Sequence, residues 1–227
     1  MLSRPITLGI VDDHALFRKT LKSFLSDQEN IEVAVQAGDV LELLDKLKTT
    51  SVDILLMDVF LPMISGNDAL KAIHDEHPGI KILVLSICMD MNTISDLLDA
   101  GIYGYISKAD EPEELIQAIR VVADHRIYRN KMFTEALYWN RQNIAKSFGE
   151  SIEMTLSERE KKILQWIWEE KSNKEMADEL FLGVRSIEKI RQEIKEKIGA
   201  RSTVGLLKYA IDKKIIGIGP IRSLPER

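Results

Sequence analysis

One cysteine in 227 residues is the first scarcity. Cys88 cannot close an internal disulfide, which fits a reducing compartment, and a lone cysteine beside an apolar run reads as a small buried hydrophobe. No apolar run approaches the roughly 20 residues of a membrane helix, so no membrane segment is expected. Met1–Ile10 has no long apolar stretch behind a basic start, so no signal peptide is expected. Internal repeats and low-complexity tracts are missing. His74, His77 and His125 lack the spacing of metal ligands. Together these absences lead to the expectation of a cytoplasmic protein.

What is present is an ordinary soluble composition, 45% hydrophobic and 30% charged. The length suits one large domain or two ordinary ones. The net charge of −5 is unevenly spread. Residues 1–150 carry 15 Lys and Arg against 23 Asp and Glu, a balance of −8. Residues 151–227 carry 16 against 13, a balance of +3. Such asymmetry is a hint of a separate nucleic-acid-binding part.

The first half alternates two periods. Strand-like runs occur at Ile6–Val11, Val33–Ala37, Val52–Met57, Ile82–Leu85 and Tyr103–Ile106. Helically spaced apolar residues follow each, as in Leu16, Leu21, Phe24 and Leu25, or Leu115, Ile116, Ala118, Ile119 and Val122. Gly38, Gly66, Gly79 and Gly101, with Pro62, Pro78 and Pro112, punctuate the loops. Five such units predict an α/β domain with a five-stranded, doubly wound parallel sheet over residues 1–125. Residues 126–152 read as a linker with a helix over about Lys131–Lys146. Residues 153–217 read as all-helical, and 218–227 as a frayed tail. Ser157 with Glu160 forms a capping-box pattern. Two short helices meet at Gly183, a helix-turn-helix signature. The helix entered at Gly183 spans Val184–Ile198, and another Ser202–Ile211.

In a parallel sheet the strand carboxyl ends share one edge, where ligands bind. Asp12 and Asp13 follow the first run, Asp58 the third, Ser86 the fourth and Lys108 the fifth. Carboxylates gathered there suit a hard divalent cation. An exposed carboxylate at a strand end can act as a nucleophile and become an aspartyl phosphate. Lys108 would counter charge on phosphoryl oxygens.

At these residues the chain resembles a known family. Val11-Asp12-Asp13-His14, Met57-Asp58-Val59, Leu61-Pro62, Gly66, Ser86, Tyr105 and Ser107-Lys108 look like a response-regulator receiver domain, a flavodoxin-like fold with strand order 2-1-3-4-5. The resemblance implies Asp58 as phosphoacceptor and a Mg2+ ion held by Asp12, Asp13, Asp58 and the Phe60 carbonyl. It also implies Ser86 and Tyr105 as a switch pair, and Lys108 as a phosphate contact. Phe60 and Cys88 lie two residues beyond Asp58 and Ser86, and neither readily positions an attacking water. A long-lived aspartyl phosphate is therefore expected.

Leu156–Glu160, Lys171–Ala177 and Val184–Lys189 resemble a LuxR-type helix-turn-helix, which with the receiver gives the NarL/FixJ class. The implied function is a DNA-binding transcriptional regulator, not an enzyme. A sensor histidine kinase would phosphorylate it, and it would pair as a homodimer on double-stranded DNA. On Val184–Ile198, Lys189 and Gln192 are expected at base edges. Ser186, Arg191 and Lys195 are expected at phosphates, and Glu188 at cytosine or against wrong sites. Ile190 stands where the family often has histidine, Glu193 where asparagine is common, and Glu170 where glycine is usual. Two rivals remain. An Asp-nucleophile phosphatase or phosphotransferase of the haloacid-dehalogenase type would need a second acid where Phe60 stands. A regulator acting without phosphate, or through protein contacts, is the other.

Overall fold

Strands covered by helices on both faces lose the in-out alternation of a half-buried sheet. Strands β3 (Ile54–Met57), β4 (Lys81–Ser86) and β5 (Gly104–Ser107) are buried at every position. Together with β1 (Ile6–Val11) and β2 (Ile31–Ala37) they form one parallel sheet in the order β2-β1-β3-β4-β5. The computed structural model describes residues 4–87, 90–139, 156–200 and 202–216. Cys88, the expected helical stretch 140–146 and the tail 218–227 lie outside them.

Helices α1 (Ala15–Ser26), α2 (Val40–Leu47), α3 (Gly66–Glu76), α4 (Met91–Ala100) and α5 (Pro112–Ala123) connect and follow the strands. Their starts are written locally. Asp39, Ser65 and Asp90 each accept a backbone N–H three residues on, and Pro112 opens α5 without losing a hydrogen bond. Leu8, Ile10, Leu25, Ile54, Leu56 and Ile119 lie within one buried core.

The sheet's register does the positioning. Val11 pairs with both Ala37 and Met57, Met57 with Val84, and Ser86 with Ser107. Residues just past these pairs therefore emerge along one edge. Two strand starts differ from expectation by two residues, and those of β4 and β5 by one. β2 begins at Ile31, earlier than Val33. β3 begins at Ile54, because the Asp53 carboxylate is held at the strand entrance by the Thr7 N–H (3.0 Å) and hydroxyl (2.7 Å).

The chain divides into two compact units, residues 1–139 and 140–227. Helix α6 (Lys131–Trp139) packs against α4 and β5 inside the first unit, although its sequence reads as linker. The second unit holds α7 (Glu158–Trp168), α8 (Asn173–Leu180), α9 (Val184–Ile198) and α10 (Thr203–Asp212). Capping boxes start α7 at Ser157 and α8 at Ser172. Ile163, Leu164, Met176, Ile187, Ile194 and Leu207 are buried there. Glu160 of α7 pairs with Lys197 of α9 at 2.9 Å, which ties the first helix to the third.

Candidate functional site

Asp12 follows β1 and Asp58 follows β3, and their side chains are almost wholly withdrawn from water, at 2% and 4% residue exposure. Two carboxylates cannot be buried together without a countercharge. Lys108, one residue past β5, supplies it. Its Nζ donates to Asp12 Oδ2 at 2.7 Å and also to Asp58 Oδ2. The Phe17 ring of α1 lies 4.6 Å from the same ammonium, a cation–π contact.

The remaining Asp58 oxygen, Oδ1, accepts the Ser86 hydroxyl and the Phe60 backbone N–H, both at 3.1 Å. Burial pushes the Asp58 carboxyl upward, but Lys108, the Phe60 N–H and Ser86 together hold it below the ordinary aspartate value. Burial likewise pushes Lys108 down, and Asp12 and Asp58 outweigh it, so Lys108 is raised. Asp58 is thus held as an ionised carboxylate at neutral pH. Tyr105 is fully buried in β5, with its hydroxyl donating to the Ser86 carbonyl at 3.5 Å.

Asp13 is exposed, and its Oδ1 lies 2.7 Å from His14 Nδ1. Ligand atoms of Asp12, Asp13, His14 and Asp58 all fall within 4.8 Å of one another. Three carboxylates at this separation fit a hard, oxygen-seeking dication such as Mg2+.

The structure therefore gathers Asp12, Asp13, Asp58, Ser86, Tyr105 and Lys108 around one edge. Two residues there escaped the sequence reading. Phe17 lies at Lys108. Arg18 donates to the Asp12 carbonyl. His14, part of the motif, stands beside Asp13. Leu16, counted with the helix's apolar stripe, is exposed. Spacing carries no signal for Phe17, because its partner Lys108 crosses over from the end of β5.

Helix α9, where the DNA contacts were expected, departs from expectation at Arg191. Arg191, expected at a phosphate, is buried at 8% exposure. It donates to Asn173 Oδ1 of α8 and to Thr203 Oγ1 of α10, the latter at 3.1 Å. The reason is helical period: Arg191 lies four residues after Ile187, on the face that turns inward. Lys195, four further on, is half-buried, and burial and the nearby Arg191 charge lower its pKa. Ser186, Glu188, Lys189 and Gln192 are exposed. Lys189 pairs with Glu193 at 3.7 Å and Gln192 donates to Glu196 at 2.9 Å, both along the helix surface. Phe181, in the turn before α9, is 95% exposed with φ of 54°. Glu170, at a position where the family usually has glycine, has φ of 62°, the left-handed conformation that favours glycine.

Comparison with known proteins agrees with this division. Residues 8–120 match the response regulator receiver domain family, and residues 154–210 match the bacterial regulatory proteins of the luxR family. The oxygen regulatory protein NreC of Staphylococcus aureus (strain JH9) is 34% identical over 213 residues, covering 91% of this chain and 97% of the relative. Among solved structures, RcsB of Salmonella typhimurium has a TM-score of 0.56 at 22% identity, covering 92% of this chain and 99% of that one. RcsB in complex with DNA gives the same TM-score of 0.56 at 22% identity, again covering 92% and 99%. At that identity the likeness speaks for the fold. No described helix is long and apolar enough to cross a membrane.

Proposed function

The chain belongs to the two-component response regulators of the NarL class, a receiver domain joined to a LuxR-type DNA-binding domain, and from this premise we propose that phosphorylation of Asp58 by a sensor histidine kinase controls its binding to DNA. The observation that carries the reading is the buried Asp12–Lys108–Asp58 arrangement at the sheet edge. Asp58 Oδ attacks the phosphorus of a phosphohistidine. The P–O bond forms as the P–N bond breaks, and the imidazole leaves. Ser86 and Lys108 already donate to Asp58 and can follow the charge onto the phosphoryl oxygens. Asp12, Asp13, Asp58 and the Phe60 carbonyl are the groups that would hold Mg2+. The ion, when bound, would neutralise carboxylate and phosphoryl charge. The exposed apolar side chains of Leu16, Phe60, Met63 and Ile87, on segments that follow the site strands, suit a phosphodonor protein that covers them.

In the second unit Lys189 and Gln192 are the candidates for base contact, with Ser186 and Lys195 at phosphates and Glu188 selecting for cytosine. Their exposed pairs within α9 are worth about 0.5 kcal/mol or less each, so DNA can displace them. RcsB forms dimers on DNA in a solved structure. A homodimer here would double the phosphate contacts and steepen the salt dependence.

The test is phosphoryl transfer to the full chain from acetyl phosphate with Mg2+, read by intact mass, alongside DNA binding across salt concentrations. The wild type gains one phosphoryl group and binds DNA more tightly, while Asp58→Asn gains none. Phosphoryl uptake by Asp58→Asn would overturn the acceptor assignment. Asp58→Asn binding DNA as tightly as the phosphorylated wild type would favour a regulator that ignores phosphate. Phe60, 55% exposed beside the acceptor, offers no hydrogen bond to water, so Phe60→Asn should shorten the lifetime of the phosphorylated protein. An unchanged rate of phosphate release would count against that role.

A further inference from the structure

Strand β5 closes one side of the sheet, and a bare edge strand leaves backbone groups unpaired. The segment after α5 covers it. The Tyr128 backbone N–H donates to the Tyr103 carbonyl at 2.8 Å, and the Asn130 side-chain amide donates to the Tyr105 carbonyl at 2.9 Å. Between them lies Gly104, where a Cβ would sit 3.1 Å from Tyr128 Cβ and 3.3 Å from the Tyr128 carbonyl oxygen. Glycine is what lets the two backbones lie this close.

The Asn130 side chain makes three contacts at once. Its side-chain amide also reaches Glu114 Oε1 of α5 at 3.3 Å, and its Oδ1 accepts the Phe133 N–H at 2.9 Å, capping α6. The Tyr128 hydroxyl donates to the same Glu114 oxygen at 3.1 Å. Helix α6 then buries Phe133, Ala136 and Leu137, each at 1% exposure or less, and packs on α4 and β5. Tyr105 is therefore held from two sides. Its hydroxyl meets Ser86, which meets Asp58, and its carbonyl meets Asn130, which begins α6. Helix α6 leads by chain connection into the second unit.

We propose that Asn130 is a positioning residue that fastens α6 to β5 while Asp58 is unmodified, and that a phosphoryl group on Asp58 loosens this fastening. The proposal rests on the reading of Asp58 as the acceptor. A phosphoryl group draws the Ser86 hydroxyl off the Asp58 oxygen it now bonds. The Ser86 carbonyl also accepts the Lys108 N–H at 3.0 Å, so a shift of Ser86 pulls on β5 at two places. Tyr105 is packed without free surface and cannot follow unless its strand moves. Movement of the strand stretches the bond from Asn130 to the Tyr105 carbonyl.

Hydrogen–deuterium exchange over residues 128–139 of the full chain tests this, with and without acetyl phosphate and Mg2+, and with phosphorylation read by intact mass. Exchange in the wild type should rise roughly fivefold on phosphorylation, the effect of losing about one hydrogen bond. Asn130→Asp keeps the oxygen that caps α6 and removes the amide that reaches β5. This variant should exchange at the faster rate before phosphorylation and change little after it, with helix content preserved. A capping role alone would leave Asn130→Asp like the wild type, and that result overturns the proposal. Glu114→Gln, a second variant outside the strand, should shift exchange in the same direction by less. Phosphoryl uptake with unchanged exchange in the wild type overturns the fastening but not the acceptor. Absence of uptake overturns the acceptor and the fastening with it.

Discussion

Lys108 in the first unit and Lys189 in the second present the same ammonium group to carboxylates, in opposite settings. Lys108, 11% exposed, is pinned between Asp12 and Asp58, which follow two other strands. Lys189, 79% exposed, leans 3.7 Å from Glu193 one turn along its own helix. Water screens the second pair, and it contributes about 0.5 kcal/mol at most. Removing one partner from the first leaves a buried charge exposed to its own desolvation penalty, which costs about 3–5 kcal/mol. The difference suits the two tasks. A buried, pre-paired site yields only to a strong competitor such as a dication or a phosphoryl group. A helix face with weak internal pairs can exchange them for bases and phosphates at little cost.

The largest test of this contrast is Lys108→Ala. Urea unfolding of the first unit should show a loss of about 3–5 kcal/mol, partly restored by Mg2+. A loss under about 1 kcal/mol would mean that the two carboxylates are satisfied without the lysine. Next, Arg191→Ala should destabilise the second unit by about 2–3 kcal/mol, because Asn173 is left buried without its donor. Lys189→Ala should leave stability within about 0.5 kcal/mol and weaken DNA binding instead. Equal stability losses in the two variants would erase the distinction between a buried and a reading residue on α9.

The pH dependence should follow the same division. Asp58 is depressed, so its contribution is full above the unfolded aspartate range and is lost as pH falls through the lower folded value. Lys108 is raised, so its contribution is full below the unfolded lysine range and is lost as pH rises through the higher folded value. The first unit should hold a plateau of stability between the two and fall off on both sides. Lys195 acts with opposite sign, since its lowered pKa makes the second unit gain stability as pH rises toward the lysine range. Denaturant titrations across pH would detect a unit with the wrong slope. The smallest effect is expected for Phe181→Gly, which relieves a left-handed residue in the turn before α9 and should stabilise by about 0.5 kcal/mol in thermal unfolding.

How much of this was legible beforehand depended on the range of the interactions involved. Strand runs, caps at Ser157 and Ser172, and the turn at Gly183 are written in neighbours a few residues apart. The approach of Asp12, Asp58 and Lys108 was also legible, because strand ends in a parallel sheet share an edge whatever the loops do. Arg191 was misread because its charge suggested the surface, while its place one turn after Ile187 decided for the interior. Residues 126–139 read as linker, since their weak periodicity gave no hint that Gly104 and Tyr105 would receive them.

The amino-acid order by itself determined the two periodicities, the punctuation between elements and the set of charged groups delivered to the sheet's carboxyl edge. Tertiary structure alone decided which of those charges are neutralised, by which partner, and which surface helices are anchored. The physical reason is that periodicity is set by backbone geometry within a few residues. Desolvation and pairing depend on groups up to 96 positions apart, as between Asp12 and Lys108, which meet only once the chain has folded.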